Sequence, residues 1–129
     1  MNGGSRGVAL PVVLWALVAL GGLSIAAAGT ARLEVALADR YLDHAAALAL
    51  AEAGLALSMS RLAAGATTSP DSLTGVLGDG AYTAHWSADG AGFRIRAVGS
   101  RQGARREVEV WAVVDDAGAL QIAAWHEVR

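Results

Sequence analysis

From Val8 to Ala28 the chain reads VALPVVLWALVALGGLSIAAA and carries no charge. As a helix this run would span about 30 Å, the thickness of the hydrocarbon core of a bilayer. Met1–Gly7 in front of it is short and polar, with one cation, Arg6. A cation on the short side keeps that end in the cytoplasm, so the rest of the chain is expected to be exported. Two other readings compete with a permanent anchor. A cleaved secretory signal would use Arg6 as its basic end, Val8–Leu20 as its apolar stretch and Ala26–Ala28 as its cleavage site. A buried core helix seldom sustains an uncharged run longer than about 18 residues.

The residues beyond the run favour an anchor. Thr30–Leu62 contains no Pro and a single Gly, Gly54, and is dominated by the good helix formers Ala, Leu, Glu and Arg. Leu33, Leu37 and Tyr41 form one row at i, i+4 spacing, and Leu55, Met59 and Leu62 form a later one. These six are the expected helix-packing residues. Arg32, Glu34, Asp39, Arg40, Asp43 and Glu52 supply polar faces. One helix is therefore expected from about Val8 to Ala64, roughly 85 Å if straight. Its part over 8–28 would be transmembrane and its part over 29–64 amphipathic. Gly21, Gly22 and Gly29 are places where it can soften or kink. Gly65 stands where a C-terminal glycine cap belongs, and Pro70 comes soon after it. Residues 65–80 are expected to form a loop.

From Ala81 the period changes to two. Tyr82, Ala84 and Trp86 alternate with Thr83, His85 and Ser87, and Phe93, Ile95 and Ala97 with Arg94, Arg96 and Val98. Val108, Val110, Ala112 and Val114 then alternate with Glu107, Glu109, Trp111 and Val113, and Leu120, Ile122 and Ala124 mark a weaker last strand. Turn signals separate them at Asp89–Gly92, Gly99–Gly103 and Asp115–Gly118. Residues 81–129 thus read as an antiparallel meander of about four strands. One face of such a sheet must be covered, and the amphipathic half of the helix is the cover at hand. The expected class is α+β, a long N-terminal helix packed against a small sheet.

Composition narrows the chemistry. The net charge of −2 provides no global field for nucleic acid. All ten cationic residues are Arg, and Cys is absent, which excludes disulfides, thiolate zinc sites and a thiol nucleophile. His44, His85 and His126 are far apart and none has a partner at metal-ligand spacing. Asp39 and Asp43 lie at i, i+4, the spacing of paired acids and, more commonly, of a solvated face. Glu52 sits among Ala and Leu. It is either a polar contact to Arg61, to a sheet Arg or to a neighbouring subunit, or an exposed helix glutamate. Arg94, Arg96, Arg101, Arg105 and Arg106 form a local basic cluster able to meet phosphates. Glu107, Glu109, Asp115 and Asp116 lie close by, and cross-strand Arg–Glu pairs account for the cluster without nucleic acid. No phosphate loop, nucleophile elbow or zinc helix is present. No catalytic, cofactor-binding or metal-binding residue is assigned, and no enzyme activity is expected.

Arg6-Gly7-Val8-Ala9-Leu10 ahead of an uncharged span resembles the class III signal of type IV pilins and type II secretion pseudopilins. The helix Ala47–Leu62, ALALAEAGLALSMSRL, is similar to that of PilX-type minor pilins and of the K-type minor pseudopilin. The resemblance implies that residues 1–7 are a leader that prepilin peptidase removes by cutting between Gly7 and Val8. It implies partnership with other pilin or pseudopilin subunits in the bacterial inner membrane, with the N-terminus cytoplasmic and the head periplasmic or extracellular. Pro11 suits such a cut, since it would fall within the first four helical residues, whose N–H groups have no intrahelical partner. A helix that starts near Pro11 in any form explains it equally well. Two features depart from the family. Most pilins carry Glu at the fifth mature residue, where this chain has Val12. The K-type subunit carries a large helical insertion in its head, for which 65–129 has no room. The resemblance therefore implies a compact minor subunit that helps to initiate or cap a filament. A binding module with an ordinary signal peptide and a TadE-like pilus subunit are the alternatives.

Overall fold

A computed structural model describes residues 9–65 and 72–128. Gly7 and Val8, the expected cleavage site, lie outside them, as does Pro70. The contacts divide the chain into one unit ending at Asp39 and another beginning at Arg40.

The first unit is helical throughout its described residues and belongs to α1, Ala9–Ala63. Every side chain described there is exposed, including Leu10, Val12, Trp15, Leu17 and Ile25. The helix is long and apolar enough to cross a membrane. Its hydroxyls are satisfied locally: Ser24 Oγ donates to the Leu20 carbonyl and Thr30 Oγ1 to that of Ala27, both at 2.9 Å. Such back-bonding lets small polar residues sit in a hydrocarbon-facing helix.

The second unit holds the end of α1 and five antiparallel strands in the order of the chain. They are β1 Ser72–Leu77, β2 Gly80–Asp89, β3 Gly92–Arg101, β4 Ala104–Val114 and β5 Leu120–Val128. The fold is α+β, with five strands rather than four. The extra one, β1, falls inside the stretch expected to be loop. Its sequence SLTGVL has a glycine at its centre and no long apolar alternation, so it gives little period-two signal. Its place comes from pairing with β2, where Gly75 lies opposite Tyr82. A Cβ at Gly75 would run into the Tyr82 ring, which is also within 3.1 Å of the Cβ position at Gly54. The ring is thus wedged between two glycines, one on the strand and one on the helix.

The helix covers the sheet with small residues. Ala47, Ala51, Gly54 and Ser58 are buried at i, i+4, i+7 and i+11, with Leu50, Leu55 and Leu62 beside them. Opposite them lie Ala84 and Trp86 of β2, Ile95 and Ala97 of β3, and Val108, Val110 and Ala112 of β4. Ser58 is fully buried, and its Oγ donates to the Gly54 carbonyl at 2.8 Å, so no buried donor is left unpaired there. Helix and sheet meet most closely at Gly99, where a Cβ would lie 2.6 Å from the Ala51 amide nitrogen and would overlap the Ala47 carbonyl. α1 closes at Gly65, whose φ of 85° is left-handed and whose N–H donates to the Leu62 carbonyl at 3.0 Å.

Candidate functional site

The outward face of the sheet carries most of the charge. The register aligns His85, Arg96, Glu109 and His126 across β2 to β5, and beside them Ser87, Arg94, Trp111 and Ala124. Arg96 bonds Glu109 at 2.9 Å and Glu107 at 3.1 Å, while Arg94 bonds Asp89 at 2.8 Å and stacks over the Trp111 ring at 5.8 Å. The Arg96 hydrogen bond holds the Glu109 carboxyl below its ordinary pKa, against partial desolvation, with added attraction from Arg96, Arg94 and His126. The same bond raises Arg96.

The basic cluster is split and neutralised by its surroundings. Arg94, Arg96 and Arg105 share the outward face, Arg105 meeting Glu107 at 3.4 Å. Arg106 alternates onto the helix side and bonds Glu127 of β5 at 2.7 Å. Arg101, also on the helix side, reaches Asp79 at 2.9 Å and Asp43 of α1 at 3.8 Å. The hydrogen bond from Arg101 lowers the Asp79 pKa. All five arginines therefore have carboxylate partners, as cross-strand pairing predicts.

The remaining singled-out residues are dispersed. Asp43 turns to Arg101 while Asp39 is exposed, so the two do not form an acid pair. His44 lines a hollow of about 360 Å³ with Arg40, Asp43, Gln102, Gly103 and Ala104, whereas His85 and His126 lie on the outward face, separated by β3 and β4. Among the described residues no three His, Cys, Asp or Glu side chains cluster as metal ligands. Glu52 is exposed and has no ion-pair partner among the described residues. Val12 is exposed in the apolar stretch.

The six expected packing residues separate into two groups. Leu55 and Leu62 are in the core and Met59 packs against it. Leu33, Leu37 and Tyr41 are 65%, 57% and 75% exposed. Along α1 the first buried residue is Ala47, with Asp43 and Ala46 half-buried before it. Sequence periodicity, which weighted large apolar residues, missed the seam of Ala47, Ala51, Gly54 and Ser58. Its signal was the i, i+4, i+7 spacing of small residues that allows close backbone approach.

No family model, curated protein or solved structure matches this chain.

Proposed function

We propose that this protein is a minor pilin or pseudopilin, a structural subunit that helps to initiate or cap a type IV pilus or a type II secretion pseudopilus. The observation that carries the proposal is α1 itself. One helix supplies an uncovered apolar stretch fit for a membrane and, in its later residues, the cover of an antiparallel meander. The signal-like run Arg6–Leu10 supports the same reading. In this proposal the N-terminus is cytoplasmic, prepilin peptidase cuts between Gly7 and Val8, and the apolar segment stays on the mature subunit. Val12 makes it a minor subunit. A filament core buries each new N-terminal amine, and a carboxylate at the fifth residue would neutralise it. Val12 cannot, and an unpaired charge in the membrane costs about 2.5–3.5 kcal/mol by insertion scales. That deficit is tolerable at one end of a filament and not at every step along it.

Mass spectrometry of membranes and of sheared filaments from the native host tests both parts. A mature N-terminus at Val8, lost in a Gly7→Val variant, and an abundance far below that of the principal subunit are expected. An N-terminus at Gly29 would instead identify an ordinary secretory signal cut after Ala28. Equal abundance with the main subunit would remove the minor-subunit assignment.

A further inference from the structure

Between Thr30 and Asp39, α1 has left the uncharged run and not yet reached the buried seam, and each of its side chains is exposed. Successive residues turn by about 100° around a helix. On that wheel Thr30, Leu37 and Leu33 lie to one side of Glu34, and Ala31, Val35 and Ala38 to the other. Arg32 and Asp39 occupy the opposite side. Glu34 therefore stands apart from those charges, on a largely apolar face where Thr30 is the one polar neighbour.

Its own helix offers it nothing. The positions three and four residues away, Thr30, Ala31, Leu37 and Ala38, contain no cation, so no intrahelical pair can form. Among the described residues no ion pair involves Glu34, although every Arg from 94 to 106 has one. Leu33, Val35 and Leu37 are at least half exposed around it.

We infer that this face docks a partner helix whose own apolar face is interrupted by a single Arg or Lys at the height of Glu34. Charge complementarity selects that occupant. A second copy packed in parallel and in register would set Glu34 against Glu34 in an apolar contact, where like charges are strongly unfavourable. Glu34 thus opposes parallel in-register self-pairing and favours a cationic partner, the arrangement by which polar residues in helical seams choose partners. The face is present whatever the processing site, so its docking role is independent of the filament proposal.

The absence of Cys makes the test clean, since Leu37→Cys introduces the only thiol. The full chain carrying Leu37→Cys is reconstituted in vesicles alone, as its Glu34→Arg variant alone, and as a mixture of the two. Tagging one form distinguishes the disulfide-linked species. The mixed pair is expected to cross-link more than roughly tenfold better than either form with itself, because only it places opposite charges across the apolar contact. A Glu34→Leu form, freed of repulsion, is expected to cross-link with itself. The inference is overturned if the unsubstituted Glu34 form pairs with itself as readily as with the Glu34→Arg form, or if the mixed pair fails to form. Circular dichroism on each form verifies that the helix is intact.

Discussion

Gly99 is where helix and sheet come into backbone contact, and its missing side chain is what allows it. Any Cβ there meets the Ala47 carbonyl and the Ala51 amide, both backbone groups that cannot swing aside. Gly99→Ala should therefore destabilise the fold by about 1–3 kcal/mol, the usual range for overpacking a well-packed site. Ser58→Ala is the contrasting case. Its hydroxyl bonds only the Gly54 carbonyl within the same helix, so the loss should stay below about 1 kcal/mol. Urea unfolding of the two variants checks the pair of values. If Gly99→Ala were as stable as the parent, the close approach of Ala47 to the sheet would be wrong.

The sheet has two unlike faces, and each element reflects that. Its inward face is packed with small and branched apolar residues beneath α1, while its outward face is a lattice of Arg and Glu pairs open to water. Exposed pairs contribute little individually, so this lattice mainly sets how stability responds to acid. Glu109 has a pKa lowered in the folded chain, chiefly by its hydrogen bond from Arg96. A group lowered on folding contributes stability that is complete above its unfolded pKa, about 4.3 for a glutamate, and is lost as pH falls through the folded value. Thermal melts of the parent should thus decline with acid over that window more steeply than those of Glu109→Gln. Identical slopes would show that the pair does not favour the folded state. The edge strand β5 carries a further device. A register shift at Trp111/Ala112 leaves Ala123 without a cross-strand partner, and such bulges twist an edge away from stray pairing.

For the molecule as a whole, the apolar stretch of α1 is long and apolar enough to serve as a single membrane-spanning anchor. None of its large apolar side chains is buried in the fold, so a bilayer is the solvent that suits them. Leu17→Arg should weaken insertion by about 2.5–3.5 kcal/mol, the penalty for a cation near the centre of a spanning helix. Carbonate extraction of membranes should retain the parent in the pellet and release a substantial part of the variant. Retention of both in full would argue that another segment holds the protein to the membrane.

The sequence alone was sufficient for the class of fold, the apolar helix and the alternating faces of β2, β3 and β4. Those features are local: an uncharged run, a helical period and a period of two each show within a short window. It was also sufficient to foresee Arg–Glu pairing, since the two residue types alternate on neighbouring strands. It did not place β1, because the six residues Ser72–Leu77 acquire strand geometry from their partner in β2 rather than from their own pattern. Nor did it show which helical rows are buried. Leu33, Leu37 and Tyr41 have the same spacing as a core row, yet the cover begins at Ala47, where Gly99 lets the helix down onto the sheet. Only the tertiary contact decides that, because burial depends on where a distant strand arrives and how closely it can approach. The same contact separates the helix residues that are buried, from Ala47 to Leu62, from the apolar ones before them that stay exposed.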